Sequence, residues 1–172
     1  MIEKLRSHLR KAKGFTLIEV IIAMAVTSVI IVALAMTTTT LITNSQGTTE
    51  RSIVLRQVQN AGYSISCDVQ MAEKVTLDGT SGFPLILNIP VDTNQSNDYS
   101  VNYLFNGNKL KRQLYDSSHV LIRETVVAEY IDVGETTFTD LGSNTYELTV
   151  KASRGEATTE RNYQVKPRLG LL

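Results

Sequence analysis

Lys13-Gly14-Phe15-Thr16-Leu17-Ile18-Glu19-Val20 is the stretch that decides how this chain is read. Five cations precede Gly14: Lys4, Arg6, Arg10, Lys11 and Lys13. After Glu19 no charged residue occurs until Glu50. A helix over residues 15–42 would be roughly 40 Å long, enough to cross a bilayer core of about 30 Å. Cations before an apolar span and none just after it predict a cytoplasmic N-terminus and an outside C-terminal portion. The carboxylate of Glu19 does not suit a plain anchor, because an acid at bilayer depth costs about 2.5–3.5 kcal/mol on insertion scales. The span holds no Lys or Arg to neutralise it. A cut between Gly14 and Phe15 would create a new α-amine at Phe15, one helical turn from Glu19. That amine could pair with Glu19 in the same chain or in a neighbour, and the helix dipole would favour the acid at this end.

The order of these residues resembles the class III signal of type IV pilins and pseudopilins: a short basic leader ending in Gly, then Phe-Thr-Leu-Ile-Glu and an apolar run. The resemblance implies a leader (1–14) removed by a prepilin peptidase after Gly14, and methylation of the new N-terminal Phe15. It also implies that Glu19 takes part in assembly. The partners implied are the peptidase, other pilin-like subunits meeting through the N-terminal helix, and an inner-membrane assembly platform. The protein would begin as a single-pass inner-membrane protein and end in a pilus or pseudopilus. An ordinary secretory signal cut after Ala33-Leu34-Ala35, or an uncleaved anchor, would leave Met36 or Met1 as the first residue.

Behind the span, Val54, Val58, Ala61, Ile65 and Val69 recur at spacings of three and four, the signature of one apolar helix face. Arg51, Arg56, Gln57 and Asp68 fall mostly off that stripe. Gly47 marks an expected bend or soft spot, and Gly62 is expected to cost about 1 kcal/mol against Ala. The amphipathic part is placed at 43–74. Over 75–172 the period becomes strand-like. Strands are expected at Val75–Leu77 and over Phe83 to Val91, the latter bounded by Pro84 and Pro90 and so read as an edge strand or a broken one. Tyr99–Phe105 and Lys109–Tyr115 should form a hairpin about Asn106-Gly107. Residues 120–133 read equally as strand or short helix. Thr136–Thr139 is a brief strand, and Thr145–Ala152 with Ala157–Val165 suggest a last hairpin. The fold class that follows is α+β and pilin-like: a long N-terminal helix packed on a small antiparallel sheet. The 101–112 hairpin is similar to one in J-type minor pseudopilins and W-type minor pilins.

Composition narrows the function. Without residues 1–14 the chain holds 12 basic and 16 acidic residues, a net charge of about −4, so no global charge draws it to nucleic acid. Lys109, Lys111 and Arg112 form a local basic cluster, the one feature that would suit DNA contact in an uptake system; alternation puts both lysines on one face and Arg112 on the other. Cys67 is the only cysteine and cannot close an intrachain disulfide; its helical setting suggests a buried small apolar residue. The absent Cys pair and the hairpin favour a minor or initiating subunit over a major one. With no tryptophan and few aromatics, no aromatic carbohydrate platform is apparent. Catalytic and metal signatures are missing too. His8 and His119 lie far apart, and Asp116, Ser117, Ser118 and His119 are neighbours in sequence, not a triad. Asp92, Asn94 and Asp98 alternate as in a calcium loop, but Asn97 stands where the turn glycine belongs. No enzyme and no cofactor are expected. A subunit of a type IV filament system, serving pilus biogenesis, type II secretion or DNA uptake, is the leading reading. A membrane-anchored binding domain that never polymerises is the alternative.

Overall fold

A computed structural model describes residues 15–90 and 98–168. The chain divides into two compact units between Ser45 and Gln46. The class is α+β: helix α1 (Leu17–Met71) is followed by eight antiparallel strands among the described residues. Gly47, where a bend was expected, lies inside α1.

In the first unit every described side chain from Phe15 onward is exposed, including Leu17, Ile21, Val29 and Leu34. A helix so apolar all round needs lipid or other helices to cover it, and it is long and apolar enough to span a membrane. The run Thr37–Thr40 does not disturb it. Each hydroxyl donates to the carbonyl four residues back, Thr37 to Ala33, Thr38 to Leu34, Thr39 to Ala35 and Thr40 to Met36, at 2.8–3.0 Å. The polar groups of a weakly helical run are thus satisfied within the helix itself, as an apolar medium requires.

In the second unit the predicted stripe is the buried face of α1: Val54, Val58, Ala61, Ile65 and Val69 are all fully buried. At 100° per residue, Gly62 and Asp68 lie about 60° to either side of Ile65, on the flanks of that face. Both are buried, which corrects the placement of Asp68 off the stripe. Gly62 is no flaw either. The ring of Tyr163 occupies the place a Cβ would take, and its hydroxyl donates to the Val58 carbonyl at 3.3 Å. Gly62→Ala should therefore destabilise the domain by about 1–3 kcal/mol, the usual cost of overpacking, despite the better helix propensity of Ala; a thermal melt beside wild type measures it. Cys67 faces away from the stripe and is only half-buried, so the expectation of a buried thiol was wrong.

The helix ends at Met71. The Gln70 carbonyl accepts from Arg168 N at 3.0 Å, and Glu73 N donates to the Asn88 carbonyl at 2.9 Å, passing the chain into the sheet. The first sheet comprises β1 (Lys74–Leu77), β2 (Leu85–Ile89), β3 (Tyr99–Asn106), β4 (Lys109–Tyr115) and β5 (Leu121–Ala128), in that order and antiparallel throughout. β2 is not an edge strand: β1 and β3 flank it, and Pro84 and Pro90 sit just outside the ladder, where they remove none of its bonds. The β3–β4 hairpin forms as predicted but turns one residue later. Asn106 pairs with Lys109, so Gly107 and Asn108 are the turn residues; Gly107 has φ +58° while Asn108 stays out of the left-handed region, the sign pattern of a II′ turn. The ambiguous 120–133 stretch resolves into β5 and a crossover.

A second sheet holds β6 (Thr137–Gly142), β7 (Thr145–Arg154) and β8 (Ala157–Val165). The last hairpin was legible in the sequence; the β6–β7 hairpin, turning on Ser143 and Asn144 with φ +53° and +57°, was not. Residues 130–132 stitch the sheets together: Ile131 N donates to Asn108 O, Asp132 N to Lys151 O, and the Tyr130 carbonyl accepts from Ser153 N, each at 2.9 Å. Alternation along β7 buries Tyr146, Leu148, Val150 and Ala152 in the same core as Leu85, Leu87 and Val101.

Candidate functional site

Two places bring chemistry-bearing side chains together: the start of α1, and the seam between α1 and β3–β4.

At the start of α1, Thr16 is the N-cap. Thr16 N and Oγ1 both donate to Glu19 Oε2 at 2.9 Å, and Glu19 N donates back to Thr16 Oγ1 at 3.4 Å. This is a capping box, in which a Thr and a Glu three residues on satisfy each other's orphan backbone donors. The sequence carries the Thr-x-x-Glu signature, which the reading of Glu19 as an acid needing a cation passed over. Within its own chain Glu19 closes the helix end. Only Oε2 makes these bonds, which leaves Oε1 for a further partner. Phe15 is 86% exposed beside it. Gly14 and the leader lie outside the described residues.

At the seam, Asp68 of α1 is 5% exposed. Its carboxylate accepts from Tyr103 Oη at 2.6 Å, from Arg112 Nε at 2.6 Å and from Arg112 Nη2 at 3.1 Å. Strand alternation puts Arg112 on the face opposite Lys111, as predicted; that face is the helix side, which it shares with Leu110, and Tyr103 stands directly opposite it on β3. Burial, then the Asp68 charge, push the Tyr103 phenol well above its ordinary range, and the hydrogen bond to Asp68 pushes the Arg112 guanidinium up further. The network locks helix to hairpin: both Asp68 oxygens are engaged, and Arg112 stays 26% exposed.

The basic cluster is consumed the same way. Lys109 bonds Glu129 at 2.6 Å and Lys111 bonds Glu124 at 2.6 Å. Lys111 and Gln113 together pull the Glu124 carboxyl down. Each cation of the cluster thus already has a carboxylate, which argues against a phosphate-binding patch.

Of the remaining sequence candidates, Asp98, Asp116, Ser117 and His119 line one cavity beside β3 and β4. Asp92 and Asn94 of the calcium-like loop lie outside the described residues, and Asp98 immediately precedes β3. Among the described residues no three His, Cys, Asp or Glu side chains are grouped as a metal would need. Asp116 organises a turn, its Oδ1 accepting from Ser118 N and Val120 N at 2.9 and 2.8 Å. His119 is exposed at φ +61°.

Residues 9–35 match the prokaryotic N-terminal methylation motif. The class this defines is a chain whose apolar first helix carries a processing and methylation signal and leads into an α+β domain. No curated protein matches the chain.

Proposed function

We propose that this chain is a non-catalytic structural subunit, pilin-like or pseudopilin-like, of a type IV filament system. A prepilin peptidase cuts it after Gly14 and methylates Phe15. The globular domain lies outside the cell membrane while the helix waits in the lipid. Assembly then moves the apolar helix surface from lipid onto neighbouring helices. The observation that carries this reading is the matched motif at 9–35 heading a helix that buries none of its own apolar side chains between Phe15 and Thr49. The three paired cations of β4 and the Asp68 lock support a scaffold role for the second unit over nucleic-acid binding. The hairpin resemblance and the lone Cys67 favour a minor or initiating subunit of a pilus, a secretion pseudopilus or an uptake pilus.

The test is the mature N-terminus. Mass spectrometry of chain from a host with an active prepilin peptidase should show N-methylated Phe15 as the first residue, and a bulky substitution at Gly14 should leave the leader attached. Intact leader in the wild-type chain, with the protein confined to membranes, would mean a tethered binding domain instead.

A further inference from the structure

The face of the first sheet turned away from α1 is polar. By alternation it carries Asn88 on β2, Ser100 and Asn102 on β3, and Gln113 and Tyr115 on β4. At one end of this face Tyr99, Tyr115 and the turn at Asp116 enclose a cavity of about 460 Å³. That volume is in the range of small-molecule sites, which are concave and carry a few convergent polar groups. Its floor holds Asn102. The Oδ1 of that residue is buried and has no hydrogen-bond partner among the described residues. The adjacent amide of Gln113 is engaged elsewhere: Nε2 donates to Glu124 at 2.7 Å and Oε1 accepts from Tyr115 Oη at 2.8 Å. A buried acceptor left unpaired costs stability, and folds rarely tolerate one without a reason.

We propose that this cavity binds a neutral polyhydroxylated ligand, a sugar unit, with a ligand hydroxyl donating to Asn102 Oδ1. The wall chemistry selects this class. Among the described residues no Lys or Arg lines the cavity; Asp98 and Asp116 do, with His119 beside them, which disfavours anions. Ser100, Asn88 and Asn102 present the mixed donors and acceptors that hydroxyls match. The ring of Tyr115 offers an apolar face with a polar tip, suited to a ligand with both C–H and O–H surfaces. Asp116 spends Oδ1 on two backbone N–H groups of its own turn, so that oxygen does not serve an ammonium ligand, which the test includes as a control. Too few aromatics were visible in the sequence to suggest such a platform; the fold brings Tyr115 to this cavity. The proposal is independent of the filament reading.

The test uses the full chain in a detergent without sugar headgroups, titrated with glucose, with N-acetylglucosamine and, as a cation control, with lysine amide. Saturable shifts of the Tyr99, Ser100, Asn102 and Tyr115 amide resonances are expected with at least one of the two sugars. Asn102→Leu should weaken that binding about tenfold, the worth of one hydrogen bond, while the melting temperature holds or rises because the orphan acceptor is gone. If that variant melts early, Tyr115→Ala replaces it, with a similar loss expected. No saturable shift with either sugar, a response to lysine amide alone, or unchanged sugar affinity in the variant that folds would overturn the proposal.

Discussion

Glu19→Gln should remove the chain from filaments as thoroughly as Glu19→Ala does. The two substitutions separate the roles the structure gives this residue. Gln keeps the capping box, since its side-chain oxygen can still accept from Thr16 N, and caps of this kind are worth about 1 kcal/mol. Ala loses both cap and charge. If capping were the whole role, Gln would do it with a smaller insertion penalty than a carboxylate, whose burial at bilayer depth costs about 2.5–3.5 kcal/mol. The acid is therefore expected to act through its charge, against the α-amine that cleavage creates at Phe15, in its own chain or the next. Loss of that pairing should lower the filament fraction tenfold or more, about 1.4 kcal/mol or above, with processing at Gly14 intact. The ratio of chain in sheared filaments to chain in membranes, read by immunoblot for the three forms, measures this. Incorporation of Glu19→Gln at the wild-type level would reduce Glu19 to a helix cap.

What the sequence disclosed and what it hid divide along physical lines. Periodicity is a local signal, and it was read correctly in the apolar span, the 54–69 stripe and the strands of the β3–β4 and β7–β8 hairpins, although the β3–β4 turn falls one residue later than expected and the β6–β7 hairpin was missed. The other misreadings concern residues whose meaning depends on a distant partner. Gly62 looks like a weak point until Tyr163, far along the chain, is seen to need its missing side chain. Asp68 looks like a solvated helix charge until Arg112 and Tyr103 arrive from the hairpin. The edge assignment of β2 failed for a similar reason: prolines mark strand ends, but β1 and β3, not the prolines, settle its place in the sheet. The capping box at Thr16 is the exception. It was local and legible, and the stronger argument about charge in a membrane obscured it.

Asp68→Ala should be among the most damaging single substitutions in the globular unit, at about 3 kcal/mol. Removing one member of a buried pair strands the others: the Tyr103 hydroxyl loses its acceptor inside the core, and Arg112 loses both of its charged bonds. The value sits at the low end for broken buried pairs because Arg112 retains 26% exposure and can turn toward water. Replacing the cluster as a whole is a different matter. Asp68→Leu with Tyr103→Phe and Arg112→Met should recover most of the loss, since apolar substitutes of similar volume often match or exceed a buried ion pair. Thermal unfolding of the full chain in detergent, followed by near-ultraviolet circular dichroism, compares the three forms. The same network fixes the alkaline limit. The Tyr103 phenol is held above its ordinary value in the folded chain, so the folded state keeps a proton that the unfolded state releases from about pH 10 upward. Its contribution to stability is therefore complete below that pH and declines as pH rises beyond it. Tyr103→Phe should flatten this decline without abolishing it, because Lys109 and Lys151, whose ammonium groups are raised by Glu129 and Glu135, titrate in the same direction. An alkaline decline as steep in Tyr103→Phe as in wild type would place the titrating group elsewhere.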